Sequence, residues 1–272
     1  MDRRLTPANG RVAHVSLRGR VEAPAYVAGE WARVVAPLAD LNRAPGRARD
    51  RQVLMGDRFL VLDRDGGHAF GQAEKDGYVG WLAEAALGPD TMVTHWICAP
   101  GSHLYPEPRV QAHEVAGLSL GARLAVTGAQ GAFAAVPQGW VPACHLRAIG
   151  DWADDPVAVA ESLTGTPYLW GGNSRAGVDC SGLVQLAFHA CGRACPGDSD
   201  MQAGMGAEIG PDDLRRGDLV FWKGHVALVA GPDRIVHANG HHMAVAAEPL
   251  SDAVARIAAA GGGGITARRR AG

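Results

Sequence analysis

Two stretches of this chain repeat one another, and the repeat limits the first half to small β-structures. One stretch, LMGDRFLVLDRDGGHAFGQAEKDGYVGWLAEAAL, starts at Leu54; the other, LSLGARLAVTGAQGAFAAVPQGWVPACHL, starts at Leu118. Each passes from a glycine (Gly56, Gly121) through an apolar run, a Gly turn and an aromatic run to a Gly-Trp step (Trp81, Trp140). Ala44-Pro45-Gly46 and Ala99-Pro100-Gly101 correspond upstream. Runs such as Arg58–Leu62 and Arg123–Thr127, bounded by Gly and Pro, read as short strands at close spacing. Two small barrels are expected, 40–88 and 89–148, each too small to bury much surface alone. Residues 1–39 fit neither repeat and are expected to pack on the first barrel as an extension.

The texture changes near residue 150. Asp154 or Asp155 can cap a helix that has Pro156 in its first turn and Gly165 as its stop. A second helix is predicted from Cys180 to Cys191, with Leu183, Leu186, Ala187 and Ala190 on one side and Gly192 as terminator. Asp218–Trp222, His225–Ala230 and Arg234–Ala238 then read as successive strands. Helices first and an antiparallel sheet second make an α+β domain over 149–260. The last segment, 261–272, reads GGGGITARRRAG and is expected to fray as a solvated tail.

Charge and cysteine usage exclude several functions. Lys plus Arg number 26 against 28 Asp plus Glu, so the chain is not an overall basic nucleic-acid binder. No apolar run reaches the ~18 residues that span a bilayer, so no membrane insertion is expected. The first residues show arginines without an apolar core behind them, so no signal peptide is expected and the setting is read as cytoplasmic. The five cysteines are an odd number and form no Cys-x-x-Cys pair, which favours a free working thiol over a disulfide scaffold or a zinc ribbon.

Cys180 is the candidate for that thiol. It stands where a Gly-containing loop turns into an apolar-periodic helix, and the free N–H groups and dipole there favour a thiolate. Cys191 and Cys195 lie at no helix start. A nucleophilic thiol needs a base, and strand register selects one from eleven histidines. With Gly231-Pro232-Asp233 as the turn, Ala230 faces Arg234, Ala227 faces His237 and His225 faces Asn239. His225 and His237 then share a face as diagonal neighbours within reach of two imidazoles. One can serve as base and the other can fix its tautomer. His189 sits about half a turn from Cys180 on the same helix and fails as base. His241 and His242 read as an exposed turn. A metal held by the histidine pair and Cys180 lacks a visible fourth ligand, so neither metal nor cofactor is expected.

DCSGLVQLAF, GDLVFWKGHVALV and RIVHANGHH together resemble three blocks of the NlpC family of cell-wall cysteine peptidases. The likeness covers about 150–260 and preserves the order Tyr168, Cys180, His225, His237. The repeats ahead of it resemble the bacterial SH3-like barrels that accompany such domains. The resemblance implies a papain-like layout with Cys180 as nucleophile, His225 as base and acid, and His237 as orienting member. It implies a murein peptide as substrate, cleaved at the γ-D-glutamyl bond to a diamino acid. Tyr168 would place a hydroxyl near the oxyanion or substrate, or else serve as a core aromatic. Asp179 and Ser181 flank the nucleophile; Asp179 would anchor a substrate ammonium, cap the helix, or both. Tyr78 would close the cleft from the first barrel, with Asp57 as an acidic contact. A preference for a free N-terminal L-Ala follows as an expectation. A related thiol amidase or acyltransferase, and a non-catalytic peptide-binding scaffold, are the alternatives. Oligomeric state is not legible.

Overall fold

The computed structural model describes residues 1–271, which separate into two compact units, 1–149 and 150–271. In the first unit a seven-stranded antiparallel sheet is built from β1 (Glu30–Val34), β2 (Leu38–Asn42), β3 (Arg49–Leu54), β4 (Arg58–Asp65), β5 (His68–Ala73), β6 (Val79–Ala83) and β7 (Leu87–Pro89). Its order is β3-β2-β6-β5-β4-β1-β7. β1 pairs with both β4 and β7, so residues expected to wrap the barrel form part of its wall. The N-terminal extension is therefore shorter than 39 residues. The apolar pattern of 30–34 is only five residues long and carries no turn signal to distinguish it from an arm.

The second repeat folds as three small antiparallel sheets rather than one continuous sheet. His95–Ile97 lies between Arg123–Leu124 and Leu146–Ala148, Gly101–Leu104 pairs with Ala116–Ser119, and Phe133–Val136 lies between Gly128–Gln130 and Gly139–Pro142. The Arg123 N–H donates to the Met55 carbonyl at 2.8 Å, tying this module to the β3–β4 turn. Gly56 in that turn has φ +85°, and a Cβ there would stand 2.1 Å from the Arg123 carbonyl oxygen. Only glycine meets both demands.

The second unit holds α1 (Pro156–Ser162), α2 (Cys180–Ala190), the short α3 (Ser199–Gln202), α4 (Leu250–Ala259) and a six-stranded sheet. Its strands are β8 (Ala207–Glu208), β9 (Leu219–Trp222), β10 (His225–Gly231), β11 (Arg234–Asn239), β12 (Ala244–Glu248) and β13 (Ala267–Arg270), in the order β8-β13-β9-β10-β11-β12. α4 docks through Ala253 on a cluster of Val220, Trp222, Ala227, Val229 and Ile235. α1 packs on α2, and both helices reach β10 and β11.

β13 corrects the expectation of a frayed tail. Arg268 and Arg269 pair with Val220 and Leu219. Arg270 donates to both carboxylate oxygens of Asp218, a residue 2% exposed, at 2.9 and 2.8 Å. The partly buried, charged tail is held because a buried acid, 52 residues away in sequence, receives Arg270.

No helix among the described residues is long and apolar enough to cross a membrane.

Candidate active site

Asp179 is the N-cap of α2, and its carboxylate organises the start of that helix. Oδ1 accepts from the Gly182 N–H at 2.6 Å and from the Ser181 hydroxyl at 3.0 Å. Oδ2 accepts from the Gly171 N–H at 2.8 Å, which fastens the loop after Tyr168 to the helix end. Three of roughly four lone-pair positions are thus in use. Ser181 is buried, with its hydroxyl turned to Asp179 and its carbonyl accepting from Gln202. Gly182 cannot carry a side chain, because a Cβ would lie 2.3 Å from the Gly172 carbonyl oxygen.

Cys180 is the first residue of α2 and is 7% exposed. The helix behind it is buried nearly all round, not on one side as its periodicity suggests; only His189 is partly open. The polar Gln185 is accommodated because it accepts from Asn173 and donates to the Cys195 carbonyl. Tyr168 is half-buried on the preceding loop, its N–H donating to the Met243 carbonyl. Burial first, then the nearby Cys180 and Asp179, push the Tyr168 hydroxyl up to about 12, so it remains a proton donor throughout the neutral range.

The hairpin of β10 and β11 has the expected register at its centre, with Leu228 opposite Val236 and Val229 opposite Ile235. A bulge at Ala230 then shifts the pairing, so Gly231 rather than Ala230 faces Arg234. Asp233, in the turn, takes φ +44°. The bulge lies beyond the histidines and leaves them on one face. His225 Nε2 is 2.8 Å from His237 Nδ1, and the ring centroids are 5.0 Å apart.

The hydrogen-bonded chain continues to a residue that the strand pattern did not point to. His237 Nε2 is 2.7 Å from Glu248 Oε1 at the end of β12. Arg256 of α4 donates to the same oxygen. Burial pushes His225 down to about 3, aided by His237 and Arg256 and opposed by Glu248. Burial likewise brings His237 to about 4, although its bond to Glu248 pulls the other way. Both imidazoles are therefore neutral near pH 7. Burial alone would raise the Glu248 carboxyl, but the Arg256 and His237 bonds outweigh it and hold it below the usual range. Glu248 could have been suspected only from the alternation of Ala244–Glu248, which adds a strand beside β11.

His237, His242 and Glu248 each offer a donor atom within 4.8 Å of the others, enough for three metal ligands. Glu248 is already committed to His237 and Arg256, so an ion there would have to displace a guanidinium.

Asp57 and Tyr78 both lie buried in the first unit. Asp57 is 4% exposed; its Oδ2 accepts from Lys75 Nζ at 2.6 Å and from the Leu54 N–H at 2.9 Å. Burial would raise this carboxyl, but the charges of Lys75 and Arg123 hold it low. It is the internal counter-ion of its own turn. Tyr78 is 3% exposed, and its N–H donates to Asp76 Oδ1. Among the cysteines, Cys195 is buried and the half-buried Cys191 is pushed up by burial, the opposite of an activated thiol.

The second unit thus holds a thiol at a helix N-terminus and, on its sheet, two hydrogen-bonded neutral imidazoles. Residues 165–256 match the NlpC/P60 family, and residues 41–87 match the bacterial dipeptidyl-peptidase Sh3 domain. The chain thus carries an NlpC/P60 peptidase domain behind an SH3-like domain. It is 28% identical to the gamma-D-glutamyl-L-lysine dipeptidyl-peptidase of Bacillus cereus, across 74% of this chain and 71% of that protein. It is 41% identical to dipeptidyl-peptidase 6 of Lysinibacillus sphaericus over 87 residues, only 32% of either protein's length. The crystal structure of an NlpC/P60 family protein from Bacillus cereus superposes with a TM-score of 0.76 at 21% identity, covering 89% of this chain and 99% of that one, and shares its fold.

Proposed function

We propose that this chain is a cysteine peptidase that hydrolyses the γ-D-glutamyl bond to a diamino acid in peptides derived from peptidoglycan. The observation that carries the reading is the bonded pair of neutral imidazoles on β10 and β11, the strands on which the Cys180 helix packs. His225 Nε2 is engaged by His237, so Nδ1 is the nitrogen available to take the Cys180 proton. The thiolate sulfur attacks the γ-carbonyl carbon, and the oxyanion is received by N–H groups at the start of α2. His225 then returns its proton to the leaving amine of the diamino acid, leaving a thioester on Cys180. Water, deprotonated by His225, cleaves the thioester and frees the thiol.

The protonated Tyr168 hydroxyl, close enough to Cys180 to feel its charge, serves as a donor to the substrate or oxyanion. Asp179 retains one lone-pair position and is proposed as the anchor for a free N-terminal ammonium, in addition to its capping role. The naming of both curated relatives as dipeptidyl-peptidases supports release of a dipeptide. The match of the second repeat to the first supports a second SH3-like module at 89–148, and the helix-borne thiol with strand-borne imidazoles supports a papain-like layout.

Mass spectrometry of products from synthetic L-Ala-γ-D-Glu-diaminopimelate tests this. Release of L-Ala-D-Glu that vanishes in Cys180→Ala is expected, with slower release when the N-terminus is acetylated. An intact peptide, or one modified at an amine, would overturn the peptidase reading in favour of a binding scaffold or an acyltransferase.

A further inference from the structure

We propose that Glu248, clamped by Arg256, is a positioning residue that sets the ring tautomer of both histidines and so leaves His225 Nδ1 free of a proton. The inference rests on the reading of His225 as the base, and it follows from counting donors along three bonds. An ionised carboxylate only accepts, so the 2.7 Å contact to Glu248 Oε1 requires the proton of His237 to be on Nε2. A neutral imidazole carries one N–H, so His237 Nδ1 is an acceptor. The 2.8 Å contact between His237 Nδ1 and His225 Nε2 then requires His225 to donate from Nε2. His225, also neutral, has a bare lone pair at Nδ1, the only ring nitrogen not used inside the chain.

The opposite assignment breaks at the carboxylate. A proton on His237 Nδ1 would set the Nε2 lone pair 2.7 Å from Glu248 Oε1, two acceptors facing one another in a buried place. It would also oblige His225 to accept at Nε2 and hold its proton at Nδ1, where it cannot act as a base. One buried negative charge, two rings away, therefore decides which nitrogen can receive the thiol proton. Arg256 donates to Glu248 and keeps that carboxylate ionised.

The test is ¹⁵N NMR of the full chain labelled at histidine, which separates protonated from unprotonated ring nitrogens without reference to turnover. Wild type is expected to show Nε2 protonated and Nδ1 bare in both His225 and His237. In Glu248→Leu both rings should reverse or become mixed. The variant's kcat should fall by up to about 10⁴-fold, the loss when a catalytic imidazole is left in the wrong tautomer, with KM little changed. Glu248→Asp should recover part of the rate and the wild-type ring pattern. A purely structural Glu248 would move none of the ring signals. Should Glu248→Leu fail to fold, wild type and Glu248→Asp still decide: both should keep the Nε2-protonated pattern, because the carboxylate and its Arg256 partner remain. Nδ1 protonated on either ring in wild type, or an unchanged pattern in Glu248→Leu, overturns the proposal. If the tautomers behave as expected while His225→Ala retains full activity, the base assignment fails instead, and the two failures are distinct.

Discussion

Replacing Asp179 by alanine isolates what holds the start of the Cys180 helix. The carboxylate accepts three hydrogen bonds, from Gly182 N–H at 2.6 Å, Gly171 N–H at 2.8 Å and the Ser181 hydroxyl at 3.0 Å. Loss of an N-cap alone costs about 0.5–2 kcal/mol. The Gly171 N–H is buried as well, and an unsatisfied buried donor adds about 1–3 kcal/mol. A total of about 3 kcal/mol follows. At roughly 4 °C per kcal/mol for a domain of this size, the C-terminal unit should lose about 10 °C in Tm. Scanning calorimetry of the full chain measures this. Asp179→Asn can keep the oxygen that caps Gly182 but sets its amide nitrogen against the Gly171 N–H, so it should retain the cap and lose the bridge; it should also weaken free-amine peptides more than acetylated ones. A drop below about 6 °C in Asp179→Ala would refute the bridging role, since the weakest cap and the weakest buried-donor penalty together cost about 1.5 kcal/mol.

Stability should fall on mild acidification. His225 and His237 stay unprotonated when folded, down to about 3 and 4, whereas the unfolded chain takes up protons below ~6.5. Depressed histidine values therefore give stability that is present above ~6.5 and is lost towards pH 4, at about 1.4 kcal/mol per pH unit for each proton. Urea midpoints at pH 7.5, 6 and 5 check the sign, and a flat profile contradicts it. Arg270→Ala should lower the urea midpoint of the C-terminal unit by leaving buried Asp218 without its bidentate partner. A freely solvated tail would give no change in the urea midpoint. Gly56→Ala combines a left-handed φ with a clash on the Arg123 carbonyl and should lower the N-terminal unit's Tm by several degrees, whereas Gly117→Ala, which meets open space, should not.

The parts legible in sequence were those governed by local pattern. The Asp155 and Asp179 caps, Pro156 in the first turn and the alternation of β10 and β11 are short-range signals, and they located both helices and the histidine pair. The parts not legible depend on partners distant in sequence. β13 is a run of arginines that resembles solvated chain until Asp218 receives Arg270. Glu248 is one of many acids until β12 lies beside β11 and α4 brings up Arg256. Asp57 reads as a surface acid until Lys75 closes over it. β1 lacked a turn signal, and only its pairing with β4 and β7 shows that it belongs to the sheet.

If the Cys180 thiol and the His225 imidazole act as one unit, the rate at which Cys180 is alkylated should depend on pH and on His225 together. Iodoacetamide should label Cys180 at pH 6 well ahead of Cys191, whose thiol is pushed up by burial, and His225→Ala should abolish that lead. Labelling of Cys180 no faster than Cys191 at pH 6, or equally fast with and without His225, would contradict it.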